Sequence, residues 1–200
     1  INGVKIVPEG TDVVVVGTTS ASTFPKTNGA YTKVGGAEEV FVAKYDAKLR
    51  TLKFSSVIGG SSSDKGWDLA IGTNTQHSIF IVGETNSNNF PTTSGVVSQL
   101  IYGGVDVFVA KLSNDGSKLL YSTYFGGSAD DRGYGITVDV NDQAYFCGET
   151  NSNNFKTSTG AFRTTSYGGG DGFISSLLAS GSMNFSEYYG GGARDVCRDI

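Results

Sequence analysis

One octapeptide, GETNSNNF, stands at Gly83–Phe90 and again, unchanged, at Gly148–Phe155, with a diverged copy, GTTSASTF, at Gly17–Phe24. The copies begin 66 and 65 residues apart. A fixed internal period of this length restricts a chain to architectures in which like units stack on one another and bury a shared core. Other words recur in the same order. FVAK at Phe41–Lys44 returns at Phe108–Lys111 and decays to FISS at Phe173–Ser176, and FSSVIGG, YSTYFGG and FSEYYGG end at Gly60, Gly127 and Gly191. After each double glycine (Gly59-Gly60, Gly126-Gly127, Gly190-Gly191) a short loop leads to an aspartate: Asp64, Asp131, Asp195.

Within a repeat the local signals are those of strands. Ile136–Val140 alternates apolar and polar residues, Asn141-Asp142 supplies a turn, and Ala144–Cys147 resumes an apolar run, the pattern of a hairpin. Phe108–Leu112 and Leu119–Phe125 form a second hairpin about Asn114-Asp115-Gly116. No segment carries helical periodicity. Each repeat therefore reads as four antiparallel strands, A to D, with a long connection only between B and C. The expected fold is all-β, a propeller-like array of three four-stranded blades forming one continuous repeat domain, with blade 1 at 1–67, blade 2 at 68–134 and blade 3 at 135–200. Strand A is expected to start at Leu69 and Ile136, with Ile200 at the same phase. Three blades do not close a ring, so further blades are expected from a longer parent chain, from another copy completing a ring, or head to tail along a fibre.

The succession GGSADDRGYGITVDV, YFCGETNSNNF, YGGVDVFVAKLSNDGSKLLYSTYFGG resembles the SBBP β-propeller repeat. That resemblance implies a propeller fold and an extracellular or cell-surface setting, and it brings no catalytic residues to carry over. The third repeat departs most, with Ser175-Ser176 in place of Ala-Lys and Cys197 in place of Gly66 and Gly133.

Charge narrows the partners. The net charge is -4 and no cluster of Lys and Arg is dense enough to follow a phosphate backbone, so nucleic acid is not expected as a partner. No apolar run approaches the roughly 18 residues of a membrane helix, and the chain opens at Ile1 without a basic, hydrophobic leader. No membrane insertion is expected, and any export signal is taken to have been removed. A surface rich in Ser, Thr, Asn and Gly leans towards a secreted protein. Cys147 shares the phase of Val16 and Val82 and reads as a small buried hydrophobe; whether it bonds to Cys197 does not follow from spacing.

Alternating strand direction puts the B–C and D–A connections on one rim, the expected binding face. Asn86, Asn88, Asn89 and their copies Asn151, Asn153, Asn154 could hydrogen-bond sugar hydroxyls, repeated on successive blades for multivalent attachment. The simpler reading folds these side chains back on their own backbone in Asx turns. Asp64, Asp131 and Asp195, with Asp130, offer oxygens to calcium, but one or two carboxylates per loop fall short of the usual six to eight ligands. Backbone N–H groups of the turn are the simpler partners, and Glu39, Asp106 and Asp171 have the same reading.

Tyr102, Tyr121, Tyr124, Phe125, Tyr188 and Tyr189 could include sugar-stacking rings, but most are expected to pack between blades, and Trp67 to pack in the core or at the rim. His77 has no partner pattern for general-base chemistry. Asn184-Phe185-Ser186 is a glycosylation sequon lying in a strand. No catalytic residue, cofactor or metal is expected. The leading expectation is a non-enzymatic structural or assembly unit of a surface layer, fibre or adhesion scaffold, whose partners are other blades or copies of itself. A carbohydrate-binding module is the alternative, and a glycan-acting enzyme using Asp130, Asp131, Glu84 or Glu149 is the weakest.

Overall fold

The computed structural model describes residues 1–7 and 12–200. It holds three antiparallel four-stranded sheets, each a simple meander. Sheet 1 comprises β1 (Gly3–Ile6), β2 (Asp12–Thr19), β3 (Glu39–Asp46) and β4 (Leu52–Ile58). Sheet 2 comprises β5 (Asp64–Ile71), β6 (Ile79–Thr85), β7 (Asp106–Leu112) and β8 (Leu119–Phe125). Sheet 3 comprises β9 (Asp131–Val138), β10 (Ala144–Thr150), β11 (Asp171–Leu177) and β12 (Met183–Tyr189). This is the expected all-β, open propeller-like array. Among the described residues no helix is long and apolar enough to cross a membrane.

The strand starts differ from the expected ones. β5 and β9 begin at Asp64 and Asp131, so the lines drawn at 67/68 and 134/135 fall inside strands. The first half of each strand hides from an apolar-alternation reading because it is polar and pairs by ladder bonds and charge. Lys65, for instance, stands opposite Glu84 with its Nζ 3.3 Å from a carboxylate oxygen. A register shift then leaves Trp67 in β5 and Tyr134 in β9 as extra residues. Such bulges re-aim side chains. The two rings meet edge to face across neighbouring sheets at 5.9 Å, and the Arg198 guanidinium lies 4.5 Å over Tyr134.

Sheets pack face to face, and each interface has its own core. Val14, Val16, Val40 and Val42 of sheet 1 meet Ile79, Ile81, Phe108 and Tyr124 of sheet 2. The opposite face of sheet 2, with Phe80, Val82, Val107 and Phe125, meets Phe146, Phe173 and Tyr188 of sheet 3. On the hairpin side each interface also has a buried lysine. Lys44 donates to Asn114 Oδ1 of the next sheet at 2.6 Å, and Lys111 pairs with Asp142 of the next sheet at 2.8 Å. Ser176 takes that phase in sheet 3.

Candidate functional site

The rim opposite those hairpins is a seam. Each connection between sheets lies on the B–C connection of the sheet it enters, and the Asn-rich octapeptide is its bed. At the first seam, N–H groups of Ser61, Ser62 and Ser63 donate to Asn89 Oδ1, Ser87 Oγ and Asn86 Oδ1 at 2.7–2.8 Å. At the second, Ser128 N–H donates to Asn154 Oδ1 and Ala129 N–H to Ser152 Oγ, both at 2.8 Å, while Asn151 Nδ2 donates to the Asp130 carbonyl at 3.3 Å. The expected Asx turns are replaced by something longer in range. These oxygens serve a loop more than twenty residues earlier, because the meander returns strand B beside strand A's entry. Asn88 and Asn153, exposed like the neighbouring asparagines, differ in that their side chains have no hydrogen-bond partner among the described residues.

Under this seam sit the repeated acids. Asp64 accepts from Gly60 N–H at 2.6 Å, from Ser87 Oγ at 3.0 Å and from Thr85 Oγ1. Asp131 accepts from Gly127 N–H at 2.6 Å and Ser152 Oγ at 2.9 Å, and Asp195 from Gly191 N–H at 2.6 Å. Facing them are the first residues of the third strands. Glu39 accepts from the N–H groups of Gly35 and Gly36, Asp106 from those of Tyr102 and Gly103, and Asp171 from Tyr167 N–H and Ser166 Oγ.

The double glycine is where these parts meet. A Cβ at Gly126 would come within 2.8 Å of both Asp106 Oδ1 and Asp131 Oδ2, and one at Gly190 within 2.8 Å of Asp171 Oδ1 and Asp195 Oδ2. Gly59 holds the corresponding place between Glu39 and Asp64. A Cβ at the second glycine, Gly127, would strike the Ser152 Cβ at 2.6 Å and Asn154 Oδ1 at 2.7 Å. Neither glycine has room for a side chain. Burial, with the charge of Asp131 added, pushes Asp106 up to about 6; burial also raises Asp64 and Asp131 above the ordinary carboxylate range.

Comparison with known families falls on this seam. Residues 120–156, which run from β8 through β9 and β10 to the end of the second Asn-rich segment, match the family model SBBP, a β-propeller repeat. Residues 120–156 are therefore similar to an SBBP β-propeller repeat. A comparison with curated proteins finds no match. The SBBP match spans the last strand of one sheet, the connection, and the first two strands of the next.

Past sheet 3 the contact is built differently. At the phase of Gly66 and Gly133 stands Cys197, bonded to Cys147 at the phase of Val16 and Val82, with Cα atoms 5.6 Å apart. A Cβ at Gly66 would lie 2.8 Å from Val16 and Val40, and one at Gly133 2.8 Å from Val107 and closer still to Val82. Sheet 3 makes room by carrying Gly172 at the phase of Val40 and Val107. A Val-Val-Gly contact has become Cys-Gly-Cys.

Glu84 pairs with Lys65 and, across the joint, with Arg132, which also holds Asp130 at 2.9 Å. Arg194 grips Glu149 with two bonds of 2.6 and 2.7 Å. Among the described residues, no group of three or more His, Cys, Asp or Glu side chains is placed to hold a metal ion. Tyr121, Tyr124, Phe125 and Tyr188 are buried, whereas Tyr102 and Tyr189 are exposed. His77 sits in the A–B turn with φ 45° and its Nδ1 3.1 Å from the Gly72 carbonyl. Asn184 is exposed on β12 and donates to Ser176 Oγ at 3.1 Å, with the sequon's Ser186 buried against Ser175.

Proposed function

We propose that this chain is a non-enzymatic, extracellular β-propeller segment that serves as a structural and assembly unit, its outer sheet faces receiving further sheets of the same kind. The observation that carries this is Tyr189. It closes the fourth strand of sheet 3 as Ile58 and Phe125 close theirs, yet it is 66% exposed where they are 2% and 1%. Tyr189, Phe162, Ile174 and Gly172 border a groove of about 640 Å³, on the face that the two inner joints bury. Sheet 1 offers the complementary side, a groove of about 540 Å³ lined by Val15, Phe24, Phe41 and Ala43. The disulfide accords with an oxidising, extracellular setting. The test is mass in solution: sedimentation velocity should give species heavier than the 20.9 kDa chain, shifting to the single-chain mass in Ile174→Asp. A stable monomer at high concentration would overturn the proposal.

A second reading rests on Asn88 and Asn153, free amides at equal places on successive sheets. A glycan array that loses binding in the Asn88→Ala, Asn153→Ala double variant would support carbohydrate recognition. Binding unchanged in that variant would refute it.

A further inference from the structure

At each inner joint two buried carboxylates from successive sheets face one another. Glu39 meets Asp64 beside Gly59, and Asp106 meets Asp131 beside Gly126. Among the described residues, no lysine or arginine pairs with any of the four. The oxygens that meet at the glycines, Asp64 Oδ2, Asp106 Oδ1 and Asp131 Oδ2, accept only from backbone N–H groups and seryl hydroxyls, while Glu39 Oε2, buried beside Gly59 with Asp64 Oδ2, and Asp131 Oδ1, buried at the second joint, have no hydrogen-bond partner among the described residues. Two acceptors opposed in a dry site repel unless a positive species lies between them. The glycine Cα packed against these oxygens and the small number of oxygens present fit a proton better than a calcium ion.

We propose that the inner joints are proton-binding sites, each carboxyl pair carrying one proton in acid and releasing it towards neutrality, so that successive sheets grip one another more firmly at mildly acidic pH. The other charged and titratable groups facing the Asp106–Asp131 pair are Asp130, itself held by Arg132, and the hydroxyls of Tyr124 and Tyr188. None of them supplies a compensating cation. The upward displacement of Asp106, Asp131 and Asp64 agrees with this arrangement.

The direction of the pH effect follows from linkage. In the unfolded chain these groups titrate near the ordinary value of about 4. Between there and about 6, where Asp106 titrates, the folded form holds the extra proton. Stability therefore falls as pH rises through that window and is level above it. Asp115, lowered to about 2 by Ser113 and Ser117, acts oppositely, losing its contribution only as pH drops below the window. Asp12, lowered by Lys53 and Lys44 against the cost of burial, does the same.

Guanidinium unfolding at pH 4.5 and 7.5 tests this. The folding constant should be roughly tenfold or more larger at the lower pH. Asp106→Asn, which removes the charge and keeps one of the two acceptor oxygens that Tyr102 and Gly103 N–H groups use (Oδ2 and Oδ1), should flatten that ratio towards one. A wild-type chain more stable at pH 7.5, or an unaltered ratio in the variant, would overturn the proposal. So would millimolar calcium raising the wild-type midpoint at pH 7.5 but not that of the variant. Carboxyl carbon NMR of the wild-type chain gives an answer that needs no substitution: Asp106 titrating near 6 supports the site, and titration near 4 refutes it.

Discussion

The two kinds of joint in this chain reach the same register by different physics. Between sheets 1 and 2, and again between 2 and 3, a glycine of the entering strand lies against two valines of the sheet before it, held by apolar contact under a lid of backbone N–H bonds. Beyond sheet 3 the glycine and one valine are cysteines, the other valine is Gly172, and the contact is covalent. The seam bonds thin out there as well. Asp195 keeps its bond from Gly191, whereas Asp64 and Asp131 also take hydroxyl donors from their own sheets. The two inner joints hold by packing of one sheet on the next, whereas residues 195–197, which form no strand, are tied to sheet 3 by a bond.

Four variants would break or sharpen this contrast. The largest effect is expected from replacing Cys147 and Cys197 together by Ser, which should cost about 3–4 kcal/mol in chemical unfolding, the range for a bridge closing a loop of this size. If stability were unchanged under oxidising conditions, the third joint would not be held by its bond. Next, Gly133→Ala should cost about 2–3 kcal/mol because its Cβ has no room beside Val82 and Val107. Combined with Val107→Gly it should show a favourable coupling of about 1–2 kcal/mol, reproducing the compensation at Gly172; a double-mutant cycle measures this, and strict additivity would deny it.

The smallest effect concerns sheet 1. Val57 stands where Tyr124 and Tyr188 send their hydroxyls to the carbonyls of Ser87 and Ser152 at 2.7 and 2.8 Å, and a cavity of about 340 Å³ opens there beside Phe24 and Glu39. Val57→Tyr should fill it and raise stability by about 1 kcal/mol. A drop in the midpoint on thermal unfolding would show that sheet 1 is not a plain copy of the other two.

Much of the fold was legible because the repeat is strong. Identical words fixed the number of sheets, and alternation in Ile136–Val140 and Leu119–Phe125 located strands. The starts of β5 and β9 were not legible. Asp-Lys-Gly and Asp-Arg-Gly look like loop, and they join strands through partners that periodicity does not register. The rim was placed correctly by strand direction alone, since the two connections do touch. What the Asn side chains do there was not, because their partners lie on another connection and only register brings them together. The disulfide had a signal of its own, two cysteines at phases that touch at the other joints, but recognising it requires knowing how one sheet sits on the next.

That disulfide also alters how the chain would bear a load. Cys147 and Cys197 are separated by 50 residues of sequence that include β11, β12 and the last three residues of β10. A pull applied from the two ends would pass through the sulfur bridge and leave the enclosed segment slack. At about 3.4 Å per stretched residue, roughly 170 Å of contour length is withheld from extension. Sheets 1 and 2 would yield first and pay out their full length, while much of sheet 3 stays tethered until the bridge is reduced.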